Sequence, residues 1–220
     1  SVMNYPLRAA VLGFRHGRLD AYGLRDCLDC QRLNYPQPMY GCLMNLLSSH
    51  DVERLRTNLS ADFDVKSLSR DEQAAFAPGA AALEHAARLE RLCAAIQFSL
   101  PGMPSVYYGD EVGMSGCRDP FNRLPWHEEQ FSPLGFYRRL SAIRASHSVM
   151  STVEAEFSAC GPDVLVIRRP GNGETVTVIN RAASARPALL RRGGRDLLTG
   201  ETLPSAFMLP PYSAAILEGA

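Results

Sequence analysis

The chain has 220 residues, 46% of them hydrophobic and 21% charged, with 23 basic against 23 acidic side chains. That length supports one large or two modest globular units, each able to bury a core. A formal net charge of zero excludes the long-range field that favours nucleic acid or an anionic membrane, and no apolar run approaches the roughly 20 residues that span a bilayer. Lys66 is the sole lysine, so the basic side is almost entirely arginine; a GC-rich genome explains that bias more simply than arginine-mediated recognition. The scattered cysteines (Cys27, Cys30, Cys42, Cys93, Cys117 and Cys160) point to reduced thiols and a cytoplasmic location. Cys27-Leu-Asp-Cys30 is a CxxC with no second pair and no nearby His pair to complete a zinc site. Both thiols are expected in structural core, and no metal or cofactor is expected.

Val2 to Tyr5 reads as the end of a strand, stopped by Pro6. Leu7 to Phe14 is predicted helical, and Asp20 to Leu33 carries Leu24, Cys27, Leu28 and Gln31 at helical spacing. Asn34 to Pro38 is a loop and Gly41 to Leu47 a strand. That strand breaks at Ser48-Ser49 and releases His50-Asp51, as a parallel strand does when it delivers titratable side chains to a site. Asp51 could equally cap the segment that follows. The pair gains weight because Pro101 to Met114 repeats the same architecture further along.

Thr57 to Lys66 is polar and expected to be irregular surface. Ser69-Arg-Asp-Glu72 is a capping-box pattern that should open a short helix ended by Pro78-Gly79. Ala80 to Leu100 is the strongest helix, with Leu89, Cys93, Ile96 and Leu100 as its buried stripe and Glu84, Arg88 and Arg91 left to solvent. Pro101-Gly102 stops it. Ser105 to Tyr108 reads as a strand, a long loop follows to Trp126, and Leu134 to His147 forms another helix with Phe136, Leu140 and Ile143 inward. Strands alternating with helices imply parallel pairing with crossovers, an α/β layer or barrel.

After His147 the texture changes. Val164 to Arg168 and Thr175 to Asn180 are β-branched strands joined across Pro170-Gly-Asn-Gly173, a hairpin signal. Short strands follow near Leu189, Asp196 to Leu198, Phe207 to Leu209 and Ala214 to Leu217. The chain therefore divides into an α/β unit over 1–149 and a small antiparallel β-sandwich over 150–220.

Several stretches resemble the α-amylase superfamily of glycoside hydrolases. Leu46-Leu-Ser-Ser-His-Asp-Val-Glu-Arg54 is similar to that family's region at the end of barrel strand seven, and Gly102-Met-Pro-Ser-Val-Tyr-Tyr-Gly-Asp-Glu111 to the region on strand eight. Asp119-Pro-Phe-Asn-Arg-Leu-Pro-Trp126 is similar to the loop that follows, and Val2-Met-Asn-Tyr-Pro6 to the end of strand six. Leu197-Leu-Thr-Gly-Glu201 and Pro210-Pro-Tyr-Ser-Ala214 resemble the family's C-domain. The form Ser48-Ser-His-Asp-Val-Glu-Arg-Leu-Arg-Thr57 points to the neopullulanase, cyclomaltodextrinase and maltogenic amylase branch.

The resemblance implies the C-terminal portion of a TIM (β/α)8 barrel, strands six to eight with their helices, followed by the sandwich. It implies a retaining glycosidase acting on α-glucans through α-1,4 and α-1,6 links, such as starch, pullulan, cyclodextrin or maltooligosaccharides. That chemistry needs a carboxylate nucleophile and a carboxyl acid/base roughly 5–5.5 Å apart. In the family these stand on strands four and five, which have no counterpart here, so the chain alone is expected to be inactive. Asp51 matches the third acidic residue, which hydrogen-bonds sugar hydroxyls and helps distort the ring. His50 is expected to bind the same sugar.

Asp119 and Arg123, on the loop leaving the C-terminal face, are candidates for the substrate cleft, against the plain reading of a surface ion pair. Tyr5 and Asn4 are expected to line the cleft, while Trp126 and Tyr107 pack the core. Asp110 and Glu111 are not expected to replace the missing pair, because adjacent residues on a strand point apart. Three barrel strands cannot close an eight-stranded barrel, so the chain is expected to aggregate, to self-associate through the open edges, or to fold around the sandwich as a compact remnant. The competing reading is a non-catalytic carbohydrate-binding or structural sandwich. Phe157, Phe207 and Tyr212 are the only aromatics of that region, a poor platform for sugar rings. A metal-dependent HD-type phosphohydrolase is rejected, since His16, His85, His127 and His147 lack ligand spacing.

Overall fold

The computed structural model describes residues 2–61 and 63–219, so Ser1, Asp62 and Ala220 lie outside it. Met3 forms a parallel bridge to Met44, and Asn4 caps helix α1 (Tyr5–Arg15) by accepting from the Leu7 amide at 3.1 Å. The expected strand end is thus a single bridge. Pro6 opens the helix instead of closing a strand, because its missing N–H falls among donors that have no helical partner. Helix α2 (Ala21–Asn34) and the short α3 (Gln37–Tyr40) follow. Strand β1 (Met44–Leu46) then pairs in parallel with β2 (Met103–Ser105). Three parallel segments therefore lie side by side in the order Met3, β1, β2.

Between β1 and β2 run α4 (Leu55–Ser60), α5 (Arg70–Ala75) and α6 (Ala80–Ser99). The capping box of α5 forms, with Ser69 accepting from the Glu72 amide and Glu72 from the Ser69 amide. The buried stripe of α6 is as the spacing predicts: Leu89, Cys93 and Ile96 have no exposure. The expected irregular surface over 57–66 is corrected, since α4 occupies its start and Leu55, Arg56, Thr57 and Leu59 are buried. Arg56 escapes a polarity reading because a carboxylate partner buries with it. Gly102 ends the α6 turn at φ +97, where a Cβ would stand 2.8 Å from the Leu43 carbonyl. That approach lets β2 lie against β1. The β2 strand is displaced towards its N-terminus from the expected 105–108, and Tyr107 and Tyr108 leave it to flank Arg54.

Helix α7 (Leu134–Ser146) buries Tyr137, Leu140 and Ile143, with Phe136 partly buried. Among the described residues the further strands are β3 (Glu156–Ala159), β4 (Val164–Arg169), β5 (Thr175–Asn180), β6 (Arg186–Leu189), β7 (Gly194–Asp196), β8 (Thr202–Leu203), β9 (Ala206–Leu209) and β10 (Ser213–Glu218). They form a six-stranded antiparallel sheet, β3-β4-β5-β10-β7-β8, faced by the pair β6-β9. The predicted hairpin joins β4 to β5 with Val166 opposite Val178. Alternation divides the faces: Leu165, Ile167 and Ile179 enter the core shared with the helices, while Val164, Val166, Val176 and Val178 pack with Ala188 and Leu209 of the facing pair.

The helical half and the sheet share buried polar contacts as well as apolar ones. Arg169, with no exposure, donates to the Ser99 carbonyl at 2.9 Å and the Glu154 carbonyl at 2.8 Å. Ser99 and Thr177 hydroxyls meet at 2.7 Å, and Arg181 reaches the Phe14 carbonyl at 2.7 Å. Cys27 is half-buried against the core, but Cys30 is exposed, contrary to the expectation that both thiols are interior. Among the described residues no helix is long and apolar enough to cross a membrane.

Candidate active site

The site is built where β1 ends. Asn45 is buried and donates to the Pro101 carbonyl at 2.7 Å, tying β1 to the start of β2. After Leu47 the backbone turns. The Ser48 hydroxyl accepts from the Leu55 amide at 2.7 Å, and the Ser49 hydroxyl accepts from the Asp51 amide at 3.1 Å. Small hydroxylated side chains suit such a turn because they satisfy backbone donors locally. Tyr5, from the first turn of α1, reaches across to donate to Asp51 Oδ2 at 2.9 Å and lies 2.9 Å from the Ser49 hydroxyl. His50 Nε2 is 3.2 Å from Asp51 Oδ1. Tyr5, His50 and Asp51 are thus one constellation. Their neighbour Asn4 is buried instead, donating to Asn45 at 3.0 Å and Gln31 at 3.0 Å, so it supports the strands and does not line the cleft.

Asp51, Arg70, Gln73, Arg118, Asp119 and Phe121 line a hollow of about 310 Å³. An aromatic face beside planar, hydrogen-bonding side chains is the composition that suits a polyhydroxylated ring. Asp119 and Asp51 therefore line one hollow. Arg123 does not line the hollow: its Nε pairs with Asp119 Oδ1 at 2.6 Å, both side chains being about half exposed. Asp119 thus lines the hollow while paired with Arg123.

Behind the turn lies a second, dry layer of charge. Arg8 pairs with Glu53 at 2.8 Å, Arg54 with Asp110 at 3.4 Å and Arg56 with Glu90 at 2.6 Å, all buried. Burial pushes Glu90 up to about 8 against the pull of Arg56. Burial likewise raises Asp110 to about 7, against Ser48 and Arg54. At Glu53 burial is outweighed by Arg8 and Asn58, which hold its carboxyl below the usual range. Arg54 also donates to the Tyr108 carbonyl at 2.6 Å, with its guanidinium carbon 4.8 Å from the centre of the Tyr107 ring.

Asp110 is sealed in this layer, and Glu111 is occupied by the Gly109 amide at 2.7 Å and the Trp126 indole N–H at 2.9 Å. They lie on a single 3₁₀ turn, Asp110–Val112, and not on a strand. Trp126 is 56% exposed and Tyr107 only partly buried, which corrects the expectation that both fill the core. The indole is anchored at the surface by its hydrogen bond instead. Sequence reading missed Arg70, Gln73, Arg118 and Asn122. The Asn122 amide Nδ2 donates to the carbonyls of Ser49, His50 and Val52 at 3.3, 3.0 and 2.8 Å. No periodicity reveals such a contact. No group of three or more His, Cys, Asp or Glu side chains suited to a metal ion occurs among the described residues.

No family model matches the chain. Amylopullulanase of Thermoanaerobacter thermohydrosulfuricus is 35% identical over 188 residues, which cover 79% of this chain and 12% of that protein. Cyclomaltodextrinase of Geobacillus thermopakistaniensis is 30% identical over 230 residues, 96% of this chain and 35% of that protein. The chain therefore spans well under half the length of these relatives. In structure it matches cyclic α-maltosyl-(1→6)-maltose hydrolase of Arthrobacter globiformis, in complex with its cyclic saccharide, at a TM-score of 0.74 and 30% identity over 98% of this chain and 44% of that one. The sequence and the fold agree: the chain belongs to the α-amylase superfamily of glycoside hydrolases, in the branch of neopullulanase, cyclomaltodextrinase and maltogenic amylase.

Proposed function

We propose that this chain forms the part of an α-glucan hydrolase that grips the sugar beside the scissile bond. The observation carrying this reading is the Tyr5–Asp51–His50 constellation, which opens at the end of β1 beside the Asp119 hollow. Asp51 is the group we assign to stabilising the transition state, by accepting hydrogen bonds from adjacent ring hydroxyls that tighten as the ring flattens towards an oxocarbenium shape. Such contacts and the accompanying distortion supply about several kcal/mol in retaining glycosidases. Tyr5 donates to one Asp51 oxygen and sets its direction, leaving further lone pairs for a ligand. His50 offers a ring nitrogen to the same sugar. Arg118, Asp119 and Phe121 form the opposite wall, with Arg123 holding Asp119 in place.

We assign Met3, β1 and β2 to barrel strands six, seven and eight, residues 1–149 to the barrel and 150–220 to the C-terminal sandwich. Their open edges are where the chain would self-associate. The nucleophile and acid/base are not among these residues in our reading: Asp110 is buried behind the turn and Asp119 is neutralised by Arg123. The chain alone is then inactive. Maltooligosaccharide, pullulan or cyclodextrin is the ligand class, drawn from the names of its relatives. Unpaired thiols support a reducing compartment. A working sandwich is less favoured, since Phe157 is buried in the shared core and offers no surface for stacking.

The test is hydrolysis and binding of maltotriose, pullulan and cyclodextrin by this chain and by Asp51→Asn. Binding without hydrolysis, lost in Asp51→Asn, is expected. Hydrolysis that disappeared in the variant would place a complete carboxylate pair within these residues and overturn the proposed division of labour.

A further inference from the structure

The Asn122 side chain has no exposure, and its Oδ1 is buried without a hydrogen-bond partner. Its amide stands where the Ser49, His50 and Val52 carbonyls converge. Carbonyls only accept, so the nitrogen must face them, and its two N–H groups are shared among the three. Three converging carbonyl dipoles repel one another unless a donor stands between them, and a buried acceptor without one is costly. The turn they belong to carries His50 and Asp51. Asn122 itself sits on the 3₁₀ turn Phe121–Arg123, whose loop carries Arg118, Asp119 and Phe121. One amide therefore joins two of the three segments that line the hollow, the third being α5 with Arg70 and Gln73.

We propose that Asn122 is a positioning residue of this site, which clamps the Ser49–Val52 turn to the 118–123 loop and so sets the spacing of Asp51 from the Asp119 wall. The proposal rests on the reading of that hollow as a sugar site. It is separable from that reading because the clamp has its own structural readout. The Asp51 amide bonds the Ser49 hydroxyl and the Val52 amide bonds the Ser49 carbonyl, so loosening of the turn appears as faster amide exchange there.

The experiment compares the full chain with Asn122→Ala and Asn122→Asp, measuring amide protection factors at Asp51 and Val52 against those of α6, together with maltotriose affinity. The alanine variant removes every donor. Protection at Asp51 and Val52 should fall about tenfold or more, as expected for a lost buried hydrogen-bond set, with α6 unchanged and maltotriose bound more weakly. The aspartate variant gives a signature that mere space-filling cannot. Burial against carbonyl dipoles favours its protonated form, which still donates one hydrogen bond. It should resemble the wild type in mild acid and the alanine variant once alkali ionises it, with no such trend in Asn122→Ala.

Unchanged protection at Asp51 and Val52 in the alanine variant would overturn the proposal. So would a loss spread equally over α6, or an aspartate variant indifferent to pH. If the wild type binds no maltotriose, the sugar reading falls, while the exchange data still decide the clamp.

Discussion

Two kinds of polar side-chain pair occur within a few residues of each other, and they do different work. His50 and Asp51 meet at 3.2 Å with side chains 53% and 56% exposed. Arg56 and Glu90 meet at 2.6 Å with side chains 1% and 0% exposed. In water the first contributes about 0–1 kcal/mol to stability, so its geometry is available to a ligand at little cost to the fold. The second has lost its hydration, so removing one partner leaves the other buried without the group it was paired with. Glu53, Arg54 and Arg56 point from the segment after the turn into three different neighbours: Arg8 on α1, Asp110 after β2 and Glu90 on α6. Dry pairs fix the backbone from several sides so that a wet pair can be left open.

The largest effect should come from breaking a dry pair. Arg56→Met strands Glu90 in the core and should lower unfolding free energy by about 3–5 kcal/mol in urea titrations. Adding Glu90→Leu should restore at least half of that loss, because a pair replaced by apolar groups no longer carries its desolvation cost. A double variant as unstable as the single one would mean that Arg56 acts mainly through its bonds to the Gln130 and Phe131 carbonyls.

The dry layer should also set the pH response. Glu90 is raised from 4.5 to about 8 and Asp110 from 3.8 to about 7. Glu53, held below the usual range, loses its share in acid. From Glu90 and Asp110, whose folded forms hold protons that the unfolded chain has released, comes a contribution that is greatest below the ordinary carboxyl range. It should fall as pH rises through neutrality, by up to about 1.4 kcal/mol per unit for each group. The decline ends once pH passes the raised values. Glu90→Gln should flatten its share of that slope, and urea midpoints across the range would show it. An unchanged slope would assign the response to Asp110 or to groups elsewhere.

Smaller still is an exposed charge whose partner is backbone. Asp20 caps α2 by accepting from the Gly23 amide at 2.8 Å. Asp20→Ala should cost about 1 kcal/mol, measured by thermal or urea unfolding. A cost near zero would show that packing of Ala21, Leu24 and Leu28 alone holds the helix end.

How much of this was legible follows from the same division. Periodicity and capping read α6 and α5 because Leu89, Cys93 and Ile96 repeat at helical spacing and Ser69 stands three residues before Glu72. The strand exit at His50-Asp51 was legible because an apolar run ends there in hydroxyls. α4 was not, since Arg56 and Thr57 look solvated until Glu90 is known to be beside them. Asn122 was invisible for a related reason. Its partners are carbonyls some seventy positions away, and backbone acceptors leave no trace in the identity of a residue. Trp126 misled in the opposite direction, its size suggesting core while its indole N–H finds Glu111 at the surface. Sequence patterns report what apolar surface must do, and they say little about where a buried polar atom finds its partner.

The wet pair gives the smallest stability effect and the sharpest functional one. Asp51→Asn keeps the shape of the side chain and one carbonyl oxygen that can still accept from Tyr5, so the unfolding free energy should change by no more than about 0.5 kcal/mol. The amide nitrogen, however, turns one acceptor into a donor on the face we assign to sugar hydroxyls. Maltotriose affinity should therefore drop while the unfolding curve stays in place. Tyr5→Phe tests the same geometry from the other side: it frees the Asp51 oxygen that Tyr5 holds at 2.9 Å, so the carboxylate keeps its charge and loses its direction. A milder loss of affinity than in Asp51→Asn is expected, again with little change in stability. If instead either variant unfolded as readily as Arg56→Met, the exposed pair would be part of the scaffold, and the separation between charges that hold the turn and charges that use it would fail.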